Sequence, residues 1–148
     1  MTKRNVLPFL SFLSGWGRTE NGKQSDALIQ AFIPYVTNTN CQRIFDSLSI
    51  TIYDTFLCAG GVEGNRTDNC HGDSGGPIQT FGQLFDKNKF VQYGVVQGSD
   101  DDLSVDRNFQ SISIFLSGGV DCRNLELNYP GVYTNVAYYL TWMMDNMS

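Results

Sequence analysis

Apolar and polar positions alternate in short runs along most of this chain, and glycine-rich turns separate the runs. Residues 27–34 alternate well enough to form a strand that ends near Pro34, since proline lacks the N–H that a sheet ladder uses. Residues 55–59 make a short apolar strand running into Gly60-Gly61, and residues 78–81, 90–96 and 131–136 read as further strands. Residues 38–45 are polar around Cys41 and read as a loop with a short helix. Helical spacing marks only residues 137–147, where Leu140, Met143, Met144 and Met147 share one stripe. Strands at short intervals followed by one helix predict an all-β fold, a small antiparallel barrel with a C-terminal helix.

Composition narrows the function classes. A length of 148 residues with 41% hydrophobic and 17% charged positions predicts one domain with a real core. The net charge of −5 leaves no basic surface to offset phosphate repulsion, which excludes nucleic acid as the expected partner. No apolar run reaches the ~18 residues of a membrane span, so no membrane partner is expected. The four cysteines, Cys41, Cys58, Cys70 and Cys122, allow three pairings and fit no zinc spacing; with a single histidine, no metal site or cofactor is expected. At the N-terminus a basic start and the apolar residues 6–13 resemble a signal peptide, but Pro8 interrupts the stretch and no small-residue cleavage site follows.

The segment with chemistry in it is Asp68-Asn-Cys-His-Gly-Asp-Ser-Gly-Gly-Pro77. A serine between glycines sits where the backbone turns sharply and leaves room for a substrate carbonyl. In such a loop the amides of Gly72 and Ser74 can converge on one point, as an oxyanion hole requires. A bare Gly-x-Ser-x-Gly is common by chance; Gly-Asp-Ser-Gly-Gly-Pro behind a cysteine is a much longer match.

In these residues the chain resembles the chymotrypsin family of trypsin-like serine proteases, and the resemblance continues in family order. Ser14-Gly-Trp-Gly-Arg-Thr-Glu20 matches the opening of that family's second barrel. Ile33-Pro-Tyr-Val up to Cys41, Leu57-Cys-Ala-Gly-Gly61 and Tyr129-Pro-Gly-Val-Tyr-Thr134 match later strands, ahead of a helix containing Trp142. Within the family, arthropod clip-domain proteases are the most similar. The resemblance implies residues 14–148 as the C-terminal, six-stranded barrel of a double barrel, with the first barrel missing, residues 1–13 outside the domain and an insertion at 97–116.

The resemblance also implies roles. Ser74 would be the nucleophile, with Gly72 and Ser74 supplying the oxyanion amides. Asp73 would be the carboxylate that pairs with the amine released on zymogen cleavage. Asp68 would lie at the bottom of a specificity pocket walled by Ser117, Gly119 and Gly131, and would select protein substrates with Arg or Lys before the scissile bond. Cys41 would bond Cys58 and Cys70 would bond Cys122, implying secretion to an oxidising, extracellular compartment. A further family bridge, from the start of this half to the strand after Pro77, is absent, because Thr80 stands where its second cysteine would be. Asn65-Arg-Thr67 forms an N-glycosylation sequon.

Departures from the family pattern set the alternatives. The family's histidine and aspartate precede its serine in the chain, whereas the one histidine here, His71, lies three residues before Ser74 in the same tight loop. Residues 97–116, with the acidic run Asp100 to Asp102, interrupt the expected passage from Val96 to Ser117; a surface loop and an in-frame intron read-through both fit them. The expected activity is that of a trypsin-like endopeptidase of which this chain is a partial catalytic domain, inactive by itself. The alternatives are a non-catalytic homologue that binds partners in a proteolytic cascade, and a truncated product.

Overall fold

The computed structural model describes residues 11–19, 21–61, 72–84, 87–97 and 129–147. Its strands are β1 (Ser11–Gly15), β2 (Ile29–Ile33), β3 (Tyr35–Val36), β4 (Phe56–Ala59), β5 (Pro77–Leu84), β6 (Lys87–Val96) and β7 (Gly131–Asn135). Helix α1 (Asn38–Phe45) follows β3, and a 3-10 turn (Val136–Tyr139) leads into α2 (Leu140–Asn146) at the C-terminal end. Neighbouring strands are antiparallel throughout, in the order β2-β1-β5-β6-β7-β4-β3.

The two ends of that order, β2 and β3, are consecutive in sequence and separated only by Pro34. The sheet therefore curls until its edges meet at one proline, giving a nearly closed barrel. Closure removes the exposed edges that an open sheet would present. Pro34 donates nothing to the ladder, and its carbonyl accepts from the Gly60 amide at 2.8 Å, which ties the seam to the end of β4. Among the described residues the sheet has seven strands where six were expected, and Pro34 separates two of them, β2 and β3.

One sequence expectation changes. Residues 11–13, expected outside the domain, are part of β1 in the sheet and are buried. Their run of apolar residues lacks alternation because both faces are covered: Leu13 joins the core with Ile33, Leu57, Ala59, Ile78, Val96 and Tyr133, while Phe12 is packed edge-on by Phe32 and Phe90. The C-terminal stripe forms a helix, but α2 buries none of its residues, and Leu140, Met144 and Met147 are exposed. Periodicity fixes that a helix has an apolar face, not that the same chain covers it.

A second core cluster gathers Val36, Cys41, Phe45, Ile50, Cys58 and Val132. Thr37 caps α1, its side chain accepting from the Asn40 amide, and Cys41 and Phe45, four residues apart, turn inward. The Cys41–Cys58 disulfide ties α1 to β4 inside this cluster, across a separation of 17 residues. By the chain-entropy argument a loop of that size stabilises by about 3 kcal/mol. Cys70 and Cys122 lie outside the described residues.

Ser11 is fully buried and opposes Thr80 in the β1–β5 register. Its hydroxyl oxygen accepts from the Tyr93 hydroxyl. Burial pushes the Tyr93 phenol up to about 12; the Ser11 hydroxyl, able to turn and donate to a phenolate, lowers it in part, and nearby Tyr35 adds to the rise. The fold thus favours the neutral phenol. That contribution to stability is complete below the ordinary value of 10.0 and is lost as pH rises through about 12. Thermal midpoints measured across this window are expected to fall, and to fall less steeply in Tyr93→Phe; an identical decline in both would show that Tyr93 is not the titrating group.

Candidate active site

The turn that carries Ser74 is made by its glycines. Gly72 and Gly75 have φ of 97° and 80°, left-handed values that side-chain-bearing residues rarely adopt. The Gly76 amide donates to the Asp73 carbonyl at 2.9 Å, closing a turn with Ser74 and Gly75 at its centre. Positive φ at the third position is what a type II turn requires. Ser74 is left exposed at the apex.

Two anchors fix this turn to the barrel. On one side the Gly75 amide donates to the Val96 carbonyl at 2.8 Å, and the Val96 amide donates to the Gly76 carbonyl at 2.9 Å. The end of β6 and the turn thereby hold each other. On the other side the half-buried Asp73 carboxylate accepts from the Gly17 amide at 2.8 Å. A carboxylate receiving a backbone N–H is a charge-assisted bond, about twice as strong as a neutral one. The serine is thus carried on a turn pinned at the residue before it and at the two after it.

The predicted site residues fall into two groups. Gly72, Asp73 and Ser74 are adjacent in this turn, and Gly131 is buried at the start of β7, opposite Ala59. Asp68, His71, Ser117, Gly119 and the sequon residue Asn65 lie outside the described residues. Two features are not singled out by sequence. Gly17, visible only as part of a matching segment, is the partner of Asp73 across 56 positions. Gln97, expected in the insertion, directly follows β6 and buries an amide oxygen that has no hydrogen-bond partner among the described residues. Among the described residues no cluster of three or more His, Cys, Asp or Glu side chains could hold a metal ion. No helix among them is long and apolar enough to cross a membrane.

An exposed serine on a rigid glycine turn can act as a nucleophile toward a carbonyl carbon, provided a base removes its proton. Comparison with known proteins gives the family. The family described as Trypsin matches residues 8–143. Serine protease grass of Drosophila melanogaster is 34% identical over 139 residues, covering 93% of this chain and 30% of the relative. Trypsin eta of the same fly is 37% identical over 132 residues, 88% of this chain and 38% of the relative. CLIP domain-containing serine protease B15 of Anopheles gambiae is 31% identical over 131 residues, 88% of this chain and 29% of the relative. The chain therefore spans about a third of the length of these insect relatives. With its antiparallel barrel, C-terminal helix and pinned serine turn, the chain belongs to the trypsin family of serine proteases.

Proposed function

We propose that this chain is the nucleophile-bearing barrel of an extracellular trypsin-like endopeptidase that cleaves after Arg or Lys. Ser74 attacks the scissile carbonyl, the Gly72 and Ser74 amides stabilise the oxyanion, and Asp68 pairs with the substrate's basic side chain in a pocket bounded by Ser117, Gly119 and Gly131. Asp73 also receives the amine released on zymogen cleavage, and Cys70 pairs with Cys122. The observation that carries the reading is the exposure of Ser74 at the apex of a turn anchored on both sides.

The base and its partner carboxylate come, on this reading, from polypeptide outside residues 1–148. His71, the only histidine in the sequence and three positions before Ser74, is not that base on this reading. A surface suited to such polypeptide lies on the outer face of β2, β1, β5 and β6. There Phe12, Phe32, Phe81 and Phe90 stack with ring centroids 5.0–5.6 Å apart, and all but Phe12 are exposed. Contiguous exposed aromatic area of this kind marks an interaction surface.

The test is to supply a barrel bearing the family's histidine and aspartate, fused ahead of the 148 residues, and to assay an arginyl ester. Ser74→Ala is expected to abolish turnover and His71→Ala to leave kcat within a few-fold. Loss of turnover in His71→Ala with Ser74 intact would assign the base to His71 and overturn the proposal.

A further inference from the structure

The glycines of the Gly15-Trp-Gly17 segment are not explained by their own backbone. Neither is among the residues with positive φ, so both hold conformations that alanine could adopt. What excludes a side chain is space, and at both glycines the three nearest atoms belong to one residue. A Cβ on Gly15 would lie 2.0 Å from Asp73 Oδ1 and 2.9 Å from its Cγ. A Cβ on Gly17 would lie 2.5 Å from Asp73 Cγ and 2.5 and 2.6 Å from its two carboxylate oxygens. Further along, the nearest atom to a Cβ on Gly72 would be Gly17 Cα at 3.2 Å, and a Cβ on Gly76 would meet the Ser14 carbonyl at 3.3 Å. The serine turn and the segment after β1 therefore lie backbone against backbone, with the Asp73 side chain laid across both glycines and bonded to the second.

We infer that Gly15 and Gly17 form a socket for the Asp73 side chain and are positioning residues for Ser74, since a side chain at either would evict the carboxylate and release the turn that presents the serine. The inference rests on the reading of Ser74 as nucleophile for its functional meaning, but the socket itself does not depend on it. The atoms that a Cβ at position 17 would meet most closely are the terminal atoms of a short, rotatable side chain. An alanine there can be accommodated by swinging Asp73 out, so the expected result is a folded protein with a displaced loop. Truncating Asp73 removes the same atoms, so the two changes cannot act independently.

Trp16 lies between the two glycines, is half exposed, and becomes a local reporter once Trp142, the other tryptophan, is replaced by Phe. In the 148-residue Trp142→Phe chain, Gly17→Ala and Asp73→Ala are each expected to speed exchange of the residue-17 amide about tenfold or more. Each should also shift Trp16 emission and move the Ser74 amide resonance. The double variant Gly17→Ala/Asp73→Ala should go no further than Asp73→Ala alone, whereas Asp73→Asn, which keeps an oxygen for the Gly17 amide, should stay near the parent. Ser74→Ala should leave the residue-17 amide and Trp16 unchanged, so that a failure of the nucleophile reading would not register in the socket measurements. Unchanged exchange at residue 17 in Gly17→Ala, or effects that simply add in the double variant, would overturn the socket. A Ser74 resonance that stays fixed while the other two signals move would overturn its positioning role.

Discussion

Replacing Asp68 by Ser in the completed protease is expected to lower kcat/KM for an arginyl substrate by roughly 10²–10⁴-fold while leaving Ser74 reactive. The magnitude follows from what a buried charge costs when its partner is removed, about 3–5 kcal/mol, converted at 1.36 kcal/mol per decade. In the proposed pocket Asp68 is the group that compensates the substrate guanidinium or ammonium. Without it the long basic side chain enters a pocket that has replaced its water and offers nothing in return. The proposed walls at Gly119 and Gly131 carry no side chains, so the loss is electrostatic and not steric, and Ser74 keeps its turn. Peptide-library profiling of the parent should give Arg and Lys before the cleaved bond, and of Asp68→Ser no basic preference. An aromatic preference in the parent would show that Asp68 does not line the pocket.

The 148-residue chain taken alone is expected to turn over an arginyl ester on the order of 10⁶-fold more slowly than the completed protease, the scale of loss when a triad base is removed. A serine hydroxyl at neutral pH is a weak nucleophile until a base takes its proton, and in the proposed protease that base lies outside these residues. Some residual catalysis, about 10³–10⁴ over water, can survive through the oxyanion donors and binding. Even that requires the Gly72 and Ser74 amides to converge as proposed; the Asp73–Gly17 and Gly75–Val96 bonds hold the turn on either side of the serine. The comparison needs both proteins assayed with one ester at one concentration. Similar rates would place the base inside residues 1–148.

The serine turn is legible because its geometry is written in residue types. Glycines two before and one and two after Ser74 are the residues that sharp, left-handed backbone selects, and both Gly72 and Gly75 adopt it. Pro34 is legible as a strand end for the same local reason, although nothing local says that the two strands on either side of it sit at opposite edges of one sheet. The start of β1 is not legible as part of the barrel because a strand covered on both faces loses its period-two signature, and the outward cover here comes from Phe32 and Phe90, 20 and 78 residues away. The stripe of α2 identifies a helix but not its burial, since burial depends on what lies opposite. Gly17 illustrates the limit most clearly: its type is visible and matches a family segment, but the reason for it is a carboxylate 56 positions later.

Labelling with a fluorophosphonate probe, followed by peptide mapping, tests the central claim most directly, because the probe reacts only with a serine whose proton has somewhere to go. The completed protease is expected to take up one probe per chain, on the peptide that contains Ser74, with labelling abolished by Ser74→Ala and very slow in the 148-residue chain alone. Rapid labelling of the chain alone, or a probe carried on any residue other than Ser74 in the completed protein, would contradict the account.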